Sequence, residues 1–314
     1  MSDGAKAAVL HGALIAALFA LHFVLPAYHH GNLARVMVLA TYAMGYNLLF
    51  GYTGLLSLGH AMFFAAGMYG MALPVTHLGW APGPALLSGL AAGALLSLVA
   101  GALALRTVGV AFLIVTLMFA QAVYLTVLYF AEWTNADDGL VLQRAERVLW
   151  GLDLSDAGVR YLAALVLFSV CLVLSLWLVR RPFGKVLIAI RENEARAEML
   201  GYDVFAHKLG AVVASGTMSA AAGAAYGLLF GYAGASFAGV QYSILPLLWV
   251  LLGGAGTVIG PFLGALFTFY LIDITSGFTT AYMAVVGVVL IALTLFAPQG
   301  IGGEIRRRVW RGLP

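Results

Sequence analysis

The chain has 314 residues, of which 63% are hydrophobic and 9% are Asp, Glu, Lys or Arg, against ~25% charged residues in soluble domains. That charge cannot clothe a water-soluble globule, so the solvent for most of the chain is lipid. A net charge of +3 does not indicate nucleic acid, because the basic residues are dispersed without an aromatic stacking platform, and a lone Cys171 excludes an internal disulfide, a paired-thiol redox site and a cysteine zinc cluster.

No Asp, Glu, Lys or Arg stands between Arg35 and Arg106, between Lys208 and Asp273, or between Asp273 and Glu304. A lone charge at the centre of a bilayer helix costs roughly 2.5–3.5 kcal/mol on insertion scales, so membrane spans need such gaps. At ~20 residues per span, the apolar runs predict about ten helices, near 7–25, 33–50, 61–78, 84–105, 110–130, 159–179, 209–232, 243–258, 261–276 and 281–296. The eighth and ninth are short enough to be re-entrant or broken. The expected fold is all-α, a polytopic transmembrane helical bundle forming a single domain over residues 1–314. Lys6 precedes the first run and no small-x-small cleavage site follows it, so it reads as a retained helix rather than a signal peptide.

Basic residues orient the bundle. With a cytoplasmic C-terminus carrying Arg306, Arg307, Arg308 and Arg311, ten helices put twelve of the sixteen Lys and Arg inside, leaving Arg35, Arg144, Arg147 and Arg160 outside. Both termini are therefore expected in the cytoplasm. The external loop, 131–158, is acidic. The internal loop, 181–206, alternates Val186, Leu187, Ile190, Ala197 and Leu200 with Arg191, Glu192, Glu194, Arg196 and Glu198 at helical spacing. One amphipathic helix from Lys185 to Leu200, lying outside the membrane and closed by Gly201, is predicted there. The heptapeptide at 48–54, LLFGYTG, returns as LLFGYAG at 228–234, a coincidence that a composition rich in Leu, Gly and Ala explains.

No G-x-x-x-x-G-K-[ST] phosphate loop, H-E-x-x-H or G-x-S-x-G motif occurs, so the chain is not expected to hydrolyse ATP itself. The adjacent His29 and His30 read as surface polarity at an external turn. Gly256, Gly260 and Gly264, and Gly89, Gly93, Ser97 and Gly101, form small-residue stripes that let neighbouring backbones approach. Asn47, Thr53, Ser57 and His60 crowd the glycine-interrupted join of the second and third helices, and Thr116 and Gln121 mark the fifth. Taken singly, such groups hydrogen-bond neighbouring helices. As a cluster at membrane depth they are candidates to line a translocation pathway. Asp273 is expected at the outer interface.

Five blocks carry a resemblance, in order: NLLFGYTGLLSLGHAMFFAAGMYG from Asn47, VAFLIVTLMFAQAV from Val110, FGKVLIAIRENEARAEMLGYDVFAHKL from Phe183, LLWVLLGGAGTVIGPFLGA from Leu247 and FAPQGIGG from Phe296. Over nearly its whole length the chain resembles the LivM-type permeases of branched-chain amino acid ABC importers. The resemblance implies a multi-pass subunit of the bacterial inner membrane, embedded in lipid and passing a small-molecule substrate. Its implied partners are a homologous LivH-type permease, a periplasmic solute-binding protein and two ATPase subunits, which would hold ATP and Mg; the chain needs no cofactor. In that family the internal loop couples to the ATPases, which here points to Arg191, Glu192, Asn193, Glu194, Arg196, Glu198 and Gly201. The external Asn135, Asp137 and Asp138 are expected to form a gate or binding-protein contact. Relatives also carry amides, urea or small carboxylic acids, which are the alternative cargo. A self-sufficient carrier or channel would need a coupling-ion site, for which the spans offer Asp273, His11, His22 and His60. This chain departs from the family where Asn135 and Ala136 replace a glycine pair, and where Arg196 interrupts the coupling segment's Glu-Ala-Ala.

Overall fold

The computed structural model describes residues 3–296 and 299–308. Fourteen helices follow one another: α1 (Asp3–Val24), α2 (Ala27–Asn47), α3 (His60–Leu78), α4 (Pro82–Ala104), α5 (Val110–Tyr129), α6 (Ala131–Thr134), α7 (Ala157–Arg180), α8 (Pro182–Glu192), α9 (Glu194–Met199), α10 (Val204–Phe230), α11 (Val240–Gly253), α12 (Gly260–Ser276), α13 (Tyr282–Phe296) and α14 (Gly300–Arg308). A π-helical turn, Leu48–Tyr52, extends α2. Four two-residue strands, β1 (Leu140–Val141), β2 (Val148–Leu149), β3 (Leu152–Asp153) and β4 (Tyr232–Ala233), lie in the connections, with β1 antiparallel to β4 and β2 to β3.

Each predicted apolar run carries a helix, although some helices stop short of the expected bounds. Six helices are long and apolar enough to cross a membrane: α2 with its extension, α3, α4, α5, α7 and α10; the apolar stretches of α1, α11, α12 and α13 are shorter. At 1.5 Å per residue, α11 and α12 measure about 21 and 26 Å, short of the ~30 Å hydrocarbon core. They pack on each other around a turn at 254–259, with Gly264 against the Trp249 backbone and Gly253 against Gly260. The eighth run thus ends at Gly253 rather than Val258, because Gly254 and Gly256 take positive φ values of 108° and 75° that a helix cannot continue through. Gly256 consequently belongs to the turn, and the expected stripe is reduced to Gly260 and Gly264.

Among the six long helices the least hydropathic, α2, α3 and α10, are the most enclosed, while fewer than half the residues of α4, α5 and α7 are buried. Lipid accepts apolar side chains alone, whereas a helix wrapped in protein can carry small and polar residues. Buried from Leu33 to Asn47 except at Arg35, α2 is the axis, flanked by α7, α10, α11 and α12. The second stripe lies on α4, where Gly89 faces the Gly67 carbonyl, Gly93 faces Ala220, Ser97 faces Gly216 and Gly101 faces Val212.

Connections gather at two ends of the bundle. At one end the α2–α3 join meets α8 and the 254–259 turn, and the turn meets α14, with Gly254 against Gly300 and Gly303. At the other, β1 pairs with β4, and the Tyr28 hydroxyl donates to Asp273 at 2.8 Å. The single amphipathic helix expected over 185–200 is broken into α8 and α9. Asn193 leaves helical geometry, at φ −161° and ψ 102°, and its Oδ1 accepts from Arg196 N at 2.9 Å, so the cap competes with helix continuation.

The tightest helix crossing, α3 on α10, requires Gly67 and Gly223: a Cβ on either would strike the backbone of Ala220 or Phe64. Gly223→Val should therefore destabilise the purified protein by at least ~1–3 kcal/mol, the usual cost of overpacking, measured by detergent-induced unfolding. Gly12→Val, with nothing within 4 Å, should be neutral. Equal stability of the two variants would refute the crossing.

Candidate functional site

The join of α2 to α3 is built on satisfied breaks. As α2 gives way to its π turn, Asn47 bridges to the 254–259 turn: its Nδ2 donates to Thr257 O and its Oδ1 accepts from Gly256 N, both at 2.9 Å. Gly51 must lack a side chain, because a Cβ there would fall on the Asn47 amide and Gly256. Thr53 Oγ1 donates to Leu48 O at 3.0 Å, closing the π turn. Asn47, Thr53, Ser57 and His60, the four residues expected to line a path at this join, are all buried.

Around the N-terminus of α3 the spare donors find hydroxyls. Gly59 N donates to Ser57 Oγ at 3.1 Å, Leu58 N to Thr116 Oγ1 at 3.3 Å and Ala61 N to Ser243 Oγ at 2.9 Å, while the Tyr46 hydroxyl donates to Ser57 O. Ser215 Oγ donates to Gly45 O at 2.6 Å and stands 2.7 Å from His60 Nε2. The hydroxyl proton being committed to Gly45, Nε2 must carry the imidazole proton, which leaves Nδ1 as an acceptor buried without a partner. Thr116 thus joins Ser57 and His60, whereas Gln121, half-buried further along α5, makes no hydrogen bond among the described residues. Tyr46, Ser215 and Ser243 were not foreseen, because a lone hydroxyl in an apolar span reveals its neighbour only when distant helices meet. The spaces touching Ser57 and Thr116, and Asn47, are about 10 Å³ each, near the size of one water.

The residues of the 181–206 loop expected to couple divide into anchors and free charges. Arg191 donates to Gly51 O, Glu194 pairs with buried Lys208 of α10 at 2.6 Å, and Asn193 caps α9. Glu192, Arg196 and Glu198 are exposed, and their side chains bond nothing among the described residues. Gly201, exposed at φ 88°, ends the segment.

At the opposite end the acidic loop is pinned rather than loose. Arg147 caps the C-terminus of α10, donating to Leu228 O at 2.8 Å and to Leu229 O, where a cation also complements the helix dipole. Asp153 holds Arg144 at 2.7 Å, and the Ser155 hydroxyl and amide, then Arg144, keep its carboxyl down at about 2. Asn135 and Ala136 sit at φ 56° and 46°, a region costing ~1–2 kcal/mol for a residue with a Cβ, so strain is held at the turn that presents the exposed Asp137 and Asp138. Asn135 Nδ2 spans that turn to Gly139 O at 3.3 Å.

Residues 28–297 match the model of the family described as branched-chain amino acid transport system / permease component. The chain is 29% identical over 294 residues to the high-affinity branched-chain amino acid transport system permease protein LivM of Salmonella typhimurium, covering 84% of this chain and 68% of that protein. The LivM of Escherichia coli is 28% identical over 292 residues with the same coverage. A probable LivM of Methanocaldococcus jannaschii is 36% identical over 107 residues, 33% of this chain and 31% of that protein. No solved structure matches. With its helical bundle, its polar join and its charged segment at one end, the chain belongs to the family of branched-chain amino acid transport system permease components.

Proposed function

We propose that this chain forms part of the solute path of an ATP-driven importer for branched-chain or similar apolar amino acids, in a bacterial inner membrane. It works beside a LivH-type permease, two ATPase subunits and a periplasmic binding protein. The observation that carries this reading is the tie from the charged segment to the polar join: Arg191 on α8 holds Gly51, in the same connection as Thr53, Ser57 and His60. Glu192, Arg196 and Glu198 present free charges to an ATPase, which makes this end cytoplasmic, in keeping with the basic bias. Closure of the ATPases then pushes α8 and α9, and Arg191 passes the motion to the join and to the neighbouring 254–259 turn, rocking the helices around it. Neutral amino acids need few charges along the route, and hydroxyls and an uncharged imidazole bind them weakly enough to let them leave.

The coupling assignment is tested by Glu192→Lys combined with Glu198→Lys in the reconstituted importer. Membrane insertion should persist, while stimulation of the ATPase by loaded binding protein falls about tenfold or more; full stimulation would place the docking surface elsewhere. At the other end, Asp137→Asn with Asp138→Asn should slow uptake when binding protein is limiting and leave it unchanged at saturation, and equal rates throughout would remove those residues from the contact. For the route itself, Ser57→Cys in a Cys171→Ala background should resist a water-soluble thiol reagent in the closed arrangement seen here and react in another nucleotide state. Resistance in every state of an active importer would make the join packing alone.

A further inference from the structure

Between the α2–α3 join, the α4–α5 connection and the coupling segment lies a cavity of about 400 Å³, within the ~300–1,000 Å³ range of small-molecule sites. Its walls divide by chemistry. Leu55, Leu56, Leu105, Val108, Phe112 and Ile190 supply an apolar side, and Arg191, Glu194 and Lys208 bring two cations and one carboxylate to the other. Arg191 is already occupied with Gly51 O. Lys208 is buried and Glu194 half exposed, so the ammonium meets its carboxylate at the boundary of the cavity, 2.6 Å apart. An ammonium has three donors, and among the described residues Lys208 uses only the one directed at Glu194. Gly109 and Val110, the start of α5 with no side-chain cap, line the same space. Thr53 and Thr107 line it too; their hydroxyl protons go to Leu48 O and Ala104 O, leaving the oxygens as acceptors.

We propose that this cavity is a binding site for a free zwitterionic amino acid with an apolar side chain, at the coupling end of the bundle. The carboxylate goes to Lys208 and the start of α5, the ammonium to Glu194 and the threonine oxygens, and the side chain against Leu55, Leu56 and Phe112. Lys208 and Glu194 satisfy each other with one donor and one oxygen, and their remaining donors and lone pairs stand side by side, so the carboxylate and ammonium of one zwitterion can be met together without parting the pair. The proposal rests on the reading of the chain as an amino acid permease, and it adds a site that borders the join through Thr53, Leu55 and Leu56, next to the residues that tie α9 to α10.

Equilibrium binding of radiolabelled leucine to the assembled importer in nanodiscs, without its binding protein, tests the site. The wild type should bind leucine saturably, and Lys208→Met and Glu194→Gln should each weaken it about tenfold or more. Val108→Trp, at a rim position 75% exposed and outside the ion pair, should block binding while the assembly stays intact by size-exclusion chromatography. Leucinamide, which lacks the carboxylate, should compete about tenfold less well than leucine on the wild type and equally well on Lys208→Met. Leucine uptake with binding protein present, but no saturable binding without it, or binding unchanged in all three variants, would overturn the site and leave the permease reading standing. Failure of the wild-type importer to take up any apolar amino acid would overturn the permease reading and the site together.

Discussion

Lipid offers no hydrogen-bond partner, so wherever a membrane helix stops, the protein itself must satisfy the exposed backbone at a stake of several kcal/mol per group. In this chain that constraint falls hardest where α2 ends and where α11 turns into α12, and the two breaks answer each other. The Asn47 amide offers a donor and an acceptor side by side, where Thr257 O needs a donor and Gly256 N an acceptor. A single polar side chain thereby fixes the distance between two loops more than two hundred residues apart in sequence. The π turn, the glycine at 51 and the hydroxyl of Thr53 follow from it, since each makes room for the bridge or closes a carbonyl it leaves open.

The same logic orders the rest of the bundle. Helices surrounded by protein can hold Gly, Ser, Thr and His, and α2, α3 and α10 do so, while α4, α5 and α7 carry the apolar surface that lipid demands. Close approach by small residues sets this up: Gly45 of α2 lies against the Ser215 backbone of α10, near enough for Ser215 to reach both Gly45 O and His60. Packing by glycine and satisfaction by hydroxyl are thus two parts of one arrangement: without the first, the second could not span the gap.

What the sequence reveals and conceals follows from this division. Charge-free runs mark helices because each span obeys a local rule, and a polar, glycine-rich join stands out against them, so the region from Asn47 to His60 was legible. The charges of the 181–206 loop were legible too, although its break was not: hydrophobic spacing continues across Asn193, and only the competition between a cap and the next helical turn decides the outcome. Ser215, Ser243 and the Asn47 bridge were hidden because their partners lie on other elements. The 253–261 stretch suggests both close packing and a broken-helix turn, and a spacing of four alone cannot say that Gly256 belongs to the turn while Gly260 and Gly264 belong to the stripe. Strands β1 and β4 are two residues each, too short to produce any alternating pattern.

Mechanical consequences depend on which contacts are shared. Gly51 lies against Gly256, and Arg191 reaches both of them: it donates to Gly51 O, and a Cβ at Gly256 would lie 3.2 Å from its guanidinium. A displacement of α8 must therefore move the join and the 254–259 turn together or break the arginine contact. Asn47 makes the first outcome the cheaper one, because separating the two loops would strand a buried amide with its two backbone partners, while moving them as a unit costs none of those bonds. Lys208 and Glu194 extend the linkage to α10, the helix that also carries Ser215. The short charged segment is thus bonded to both sides of the polar cluster, by way of Arg191 on one side and the Glu194–Lys208 pair on the other.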